Sequence, residues 1–188
     1  MHFNVLHFSQ VGDNTFPNAF PLMTGLTHIE ANWTREVYID RQGFRFLWQD
    51  FADEGYRTFF AEDRPSLNIF NYAKTGFVDQ PTHYYARTME LAKDQRRKLF
   101  PEKRNCFGGI PNTKLILHHL TEFSRLFLKK PHFGFIWLCA VTHDSLNGGS
   151  KVACGLLNLI SESSVHASLA YEVFGGRRSS WAYIANGY

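Results

Sequence analysis

Cysteine is scarce in this sequence, and the three that occur, Cys106, Cys139 and Cys154, are too few for a disulfide scaffold. Their odd number leaves at least one without a partner in the chain. No run of about 18 apolar residues exists, so no segment reads as a membrane-spanning helix. The longest apolar stretch, Phe133 to Val141, has the length of a buried strand. Charge of either sign is thin: 20 basic against 17 acidic residues leave a net +3. That bias is too weak to point to nucleic acid or a membrane surface as a partner. The opening Met1-His2-Phe3-Asn4-Val5-Leu6-His7-Phe8 has no basic segment, no sustained apolar segment and no small-residue cleavage site, so it does not read as a signal peptide.

What the chain has in quantity is aromatic surface. Its 18 Phe, 8 Tyr and 4 Trp argue against disorder, and 188 residues suffice for one domain with a substantial core. The pattern alternates strands and helices. Phe3 to Ser9 reads as a short strand. Asp13-Asn14-Thr15-Phe16-Pro17 reads as a helix start, with good capping residues and a proline in the first turn. Phe16, Phe20 and Met23 follow at helical spacing, and Gly25 supplies the stop. A second helix is expected from Phe46 to Glu54, a strand from Tyr56 to Ala61, and a third helix from Pro81 through Lys98. Pro111 opens a fourth, which places Ile116, Leu120, Phe123 and Phe127 on one face. Phe133 to Val141 then reads as a strand covered on both faces, as in parallel sheets. The class implied is α/β, with a mostly parallel sheet and flanking helices.

The densest charge run is Lys93, Arg96, Arg97, Lys98, Lys103 and Arg104, interrupted by Asp94 and Glu102. Without an aromatic ladder for stacking bases, it reads as a solvated helix end. Asn32-Trp33-Thr34 is an N-glycosylation sequon, which makes Asn32 a candidate modification site.

Two segments carry candidate chemistry. A hydroxyl at the start of the first helix lies beside unpaired N–H groups and the positive end of the helix dipole, so Thr15 is placed to meet an anion. The same pattern fits plain capping of the first turn by Asn14 or Thr15. The second segment is Thr142-His143-Asp144-Ser145-Leu146-Asn147-Gly148-Gly149, directly after the apolar strand. Ligands gather beyond the carboxyl ends of strands in open α/β sheets. His143 and Asp144 are therefore candidates to bind metal or orient a substrate, and Asn147 to contact an anionic oxygen. Asx-turns in an ordinary loop account for the same residues. Glu62 and Asp63 follow a strand and could reach such a site, or Asp63 could pin a loop.

Val11-Gly12-Asp13-Asn14-Thr15-Phe16-Pro17-Asn18 with Pro21-Leu22-Met23-Thr24-Gly25 resembles an uncharacterised animal domain-of-unknown-function family with a sulfatase-like, alkaline-phosphatase-like core. Further similar segments occur in the same order: Gly55 to Pro65, Asn71-Tyr72, Gln80 to Tyr85, Cys106 to Gly109, and Phe133 to Gly148. Thr15-Phe16-Pro17-Asn18 followed by Thr24-Gly25 also resembles the nucleophile segment of nucleotide pyrophosphatase/phosphodiesterases. The resemblance implies that Thr15 is the nucleophile and a zinc ligand, with His143 a second metal ligand. It implies substrate contacts from Asn18, Asp144 and Asn147, a two-zinc site in the intact parent, and a small anionic ester as substrate. It also implies an extracellular or secretory-lumen location for that parent.

The chain departs from this pattern. The Cys-x-Pro-x-Arg pattern of sulfatases is absent, which favours phosphoryl over sulfuryl chemistry. No Asp precedes Asp13, no Asp follows Asp144, and there is no Asp-His dipeptide. His143 and Asn147 have the spacing of the phosphodiesterases' Asp and His zinc ligands, but not their residue types. Residues 1–150 are therefore expected to form a partial alkaline-phosphatase-like domain truncated at both ends, with 151–188 a divergent tail. The expected function is a fragment or truncated isoform of a metallohydrolase, with no zinc stably bound and little turnover. The alternative is a non-catalytic extracellular binding protein that kept the fold.

Overall fold

The apolar spacing that follows Thr15 becomes helix α1 (Phe16–Thr24), which buries Phe16, Ala19, Phe20 and Met23 and ends on Gly25 in the left-handed conformation. The computed structural model describes residues 11–100, 105–140 and 143, together with the backbone of two strands at 166–174 and 177–186. The expected strand at Phe3 to Ser9, the basic residues Lys103 and Arg104, and the candidates Asp144 and Asn147 lie outside the described residues.

A short 3₁₀ turn (Ile39–Arg41) leads to α2 (Leu47–Asp53), which buries Trp48. Its start is secured by Gln49, whose side-chain oxygen accepts the Phe46 N–H at 2.8 Å. Strand β1 (Arg57–Glu62) follows, exposed only at Arg57. The third helix was expected from Pro81, but the chain first forms a two-residue strand, β2 (Tyr84–Tyr85), and α3 runs Arg87–Leu99. The reason is tertiary. Tyr84 and Tyr85 pair in parallel with Phe59 and Phe60 on the edge of β1, and aromatic residues suit a pleated, half-covered surface.

A small hairpin of β3 (Cys106–Phe107) and β4 (Ile110–Pro111) precedes α4 (Asn112–Leu126). As the sequence implied, Ile116, Leu120 and Phe123 are buried, and Phe127 packs against them. Strand β5 (His132–Leu138) is buried along its whole length. Strands β6 (His166–Phe174) and β7 (Arg177–Asn186) complete one five-stranded sheet in the order β2-β1-β5-β7-β6. The first three strands are mutually parallel, while β7 joins β5, and β6 joins β7, in antiparallel pairing. The protein is thus α/β, with a parallel three-stranded unit flanked by helices.

Successive β1 residues point to opposite faces. On one face Phe60 joins Phe20, Phe46, Trp48, Phe70 and Trp137 in a densely aromatic core. On the other, Phe59 and Ala61 meet Ile116, Leu117 and Leu120 of α4. The expectation of a wholly solvated basic helix end does not hold. Lys93 is buried and ion-paired with Glu90, itself 1% exposed, and Arg97 pairs with Asp94 at 2.9 Å.

A candidate anion site at the first helix

Four pieces of chain meet beyond the carboxyl end of β5, one of them the stretch that carries His28, Trp33 and Arg35. The loop and first turn of α1 bring Asp13 to Pro17, the segment after β1 brings Leu67 to Lys74, and the end of β5 brings Trp137, Cys139 and His143. They enclose a cavity of about 450 Å³. Thr15 and His143, singled out separately in the sequence, line this same cavity.

The capping expectation fails in its detail. Thr15 is the N-cap residue with helical backbone angles, and neither its hydroxyl nor the Asn14 side chain caps the helix. The Thr15 carbonyl instead accepts the Ala19 N–H at 2.8 Å. Order in the loop comes from Asn18, which reaches back from inside the helix. Its Oδ1 accepts the Val11 N–H at 2.8 Å, and its Nδ2 donates to the Asn14 carbonyl at 2.7 Å and to the Gly12 carbonyl. This holds Asn14 in the left-handed region at φ 74°, which asparagine tolerates better than most residues. The Asn18 amide, expected to contact substrate, is directed at the loop, and the Thr15 hydroxyl is left uncommitted among the described residues.

The cavity carries more positive than negative charge. Lys74 and Arg35 line it against Asp13, with the imidazoles of His28 and His143 beside them. The Lys74 ammonium lies 4.5 Å from the centroid of the Phe16 ring and donates to the Tyr72 carbonyl at 2.9 Å. Burial, with the Arg35 charge adding to it, pushes its pKa down to about 8. No motif marks Lys74, Arg35 or His28 in the sequence.

Glu62 and Asp63 lie behind this wall and have different uses. Asp63 is fully buried: its carboxylate accepts the N–H groups of Cys139 at 2.8 Å and Ala140 at 3.0 Å and the Thr113 hydroxyl at 2.6 Å. It pins the turn after β5 to the start of α4. Burial pushes its pKa up and these hydrogen bonds oppose that. Glu62 accepts the Ile69 N–H at 2.7 Å, and burial pushes it up to about 7. Cys139 is buried in the aromatic core, where burial raises its thiol well above the usual range.

A zinc site needs several His, Cys, Asp or Glu donors at about 2 Å from one point. No three such side chains stand close enough to share a metal ion among the described residues. The described donor set around Thr15 and His143 therefore does not fit that ion. Asn32 is exposed in a tight turn at φ 49°, outside the cavity. No helix among the described residues is long and apolar enough to cross a membrane.

These features define an α/β protein with a small, basic cavity at a helix N-terminus beyond the carboxyl end of a parallel strand. The chain belongs to the DUF229 family, proteins of unknown function, whose profile matches residues 1–169. No curated protein and no solved structure matches it.

Proposed function

We propose that the chain is a fragment or truncated isoform of a sulfatase-like, alkaline-phosphatase-like metallohydrolase that retains the anion pocket and turns substrate over little or not at all. The observation that carries this reading is the uncommitted Thr15 hydroxyl, held at a helix N-terminus in one cavity with Lys74, Arg35 and His143. The Phe16 N–H at the helix start and two cations form a receptor for a phosphate or sulfate group, since Pro17 has no N–H and the Asn18 N–H donates to the Thr15 carbonyl. In the intact parent, Thr15 would be the nucleophile, a small anionic ester the substrate, and an extracellular or lumenal compartment the location. Asp144 and Asn147 remain candidates for substrate contact and Asn32 for glycosylation.

A binding protein that kept the fold without the chemistry is the second reading. What favours it is the use of Asn18 and Asp63 as structural pins. Two measurements test the proposal. Inorganic phosphate or sulfate should bind the purified chain, and Lys74→Gln should weaken binding roughly tenfold, the worth of about one charge-assisted hydrogen bond. Nitrophenol release from nitrophenyl phosphate or sulfate with added zinc should be negligible. Turnover that Thr15→Ala abolishes would refute the inactivity, and no anion binding at all would refute the pocket.

A further inference from the structure

A second, larger cleft of about 780 Å³ adjoins the first cavity, on the opposite side of the turn at Tyr72 and Ala73. Its walls are Pro65 and Ser66 on one side and Arg87, Asp94, Arg97 and Lys98 of α3 on the other. Three cations and one carboxylate therefore line it; Arg97 is ion-paired with Asp94, Arg87 donates to the Pro65 carbonyl at 3.2 Å, and Lys98 is the exposed cation at the rim. The two spaces share Tyr72 and Ala73 as a common ridge.

That ridge is well braced. Asn68 Oδ1 accepts the Asn71 N–H at 2.9 Å, and the Asn68 amide donates to the Asn71 side-chain oxygen at 3.2 Å. Ala73 takes the left-handed conformation at φ 53°, which is uncommon for alanine. The reversal sends Lys74 into the first cavity, its ammonium bonded back to the Tyr72 carbonyl, while the Tyr72 side chain stays 55% exposed. An exposed phenol ring on a braced turn, with a basic space on each side, is a platform whose backbone is preorganised, and preorganisation lowers the entropic cost of binding.

We propose that the Thr15 cavity and the α3 cleft are two lobes of one binding groove, and that its ligand is a compact molecule with two phosphate or sulfate groups on either side of a ring that rests on Tyr72. The first lobe rests on the anion-pocket reading given above; the second lobe and the platform stand on their own residues. The first anionic group tethers the molecule, and the second then binds as an intramolecular event at high effective concentration. A doubly charged ligand should thus bind more tightly than a singly charged one of the same ring.

Glucose 1,6-bisphosphate, glucose 6-phosphate, a glucose disulfate, and inorganic phosphate and sulfate serve as probes by isothermal titration to the full chain. The bisphosphate or the disulfate should bind at least about tenfold more tightly than glucose 6-phosphate, and whichever binds more tightly identifies the ester type. Lys98→Glu and Tyr72→Ala both change exposed side chains. Lys98→Glu should erase that advantage and leave glucose 6-phosphate binding and the melting temperature unchanged, whereas Tyr72→Ala should weaken every sugar probe and leave inorganic phosphate binding unchanged. Lys74→Gln should weaken every probe. An equal affinity for one and two anionic groups, or an advantage that survives Lys98→Glu, overturns the two-lobed groove, and sugar binding indifferent to Tyr72→Ala overturns the ring platform. If only the first lobe is misread, the inorganic anions bind without sensitivity to Lys74→Gln, while the double probes still respond to Lys98→Glu.

Discussion

The two faces of the sheet are built from the same strands yet solve different problems. The face toward α1 and α2 is packed with rings: Trp48 stacks on Phe46 at 4.6 Å and on Phe60 at 5.2 Å, and Phe70 meets both Phe46 and Trp48 edge-on. The face toward α4 is mainly aliphatic, with Ala61, Ile116, Leu117, Leu120 and Ile136. The carboxylates follow the same division. Asp63 turns toward α4 and is fully partnered, whereas Glu62 lies on the aromatic side with one backbone donor at 2.7 Å. The cavity opens on the aromatic side. The comparison teaches that burial disfavours the charge of both carboxylates, which Asp63 offsets with three hydrogen-bond donors and Glu62 with the Ile69 N–H, the Asn68 side chain and the Arg87 charge.

The sharpest way to break this comparison is Asp63→Ala. It strips three donors of their acceptor in a dry interior, at a cost of roughly 5 kcal/mol, and chemical denaturation should find little folded protein. Next come the two cores. Trp48→Ala should cost about 4 kcal/mol and Leu120→Ala about 3 kcal/mol. An equal or larger loss at Leu120 would mean that the aromatic face is not the better packed one.

Glu62 shares with Asp63 a pKa raised by burial. Its folded pKa of about 7 lies above the ordinary 4.5, so the folded state binds more protons between those values. Stability contributed by this group is then full below about pH 4.5 and is lost as pH rises to 7, by roughly 3 kcal/mol. Glu62→Gln should remove that slope and stabilise the protein at pH 8 relative to its parent, read as a higher urea midpoint. A parent whose stability rises across this window would contradict the assignment. The smallest effect is expected at Gly76, at φ 77°, where an added Cβ would collide with the Asn71 side chain. Gly76→Ala should cost about 2 kcal/mol and loosen the Tyr72 ridge, lowering the two-group advantage without touching the α4 face.

Much of the fold was legible where the signal is local. The 3.6-residue spacing of Phe16, Phe20 and Met23, the stop at Gly25, and the unbroken run after Pro131 each carry their own reason, and each element forms. Pairing between distant segments is not written in that way. Tyr84 and Tyr85 form a strand because the edge of β1 offers them partners, which nothing between Pro81 and Arg87 announces. The site divides similarly. Thr15 and His143 stood out by their places at a helix start and a strand end, and they do share a cavity. Lys74 and Arg35 enter it through chain reversals set by long-range packing. Asn18 looked like a substrate contact because its neighbours did, but its amide satisfies backbone groups of the loop before it.

The parallel pairing of β1 with β5 has a consequence during synthesis. Arg57 faces His132, 75 residues later, and the other edge of β1 is covered by only two residues of β2. At roughly 5–20 residues per second, Thr58-Phe59-Phe60-Ala61 waits on the order of 4–15 s for its main partner to leave the ribosome. The segment is apolar, rich in β-formers and uncharged, the combination most prone to self-association while exposed. The strand at the centre of the finished parallel unit is therefore the one most in need of a chaperone's cover while the chain is being made.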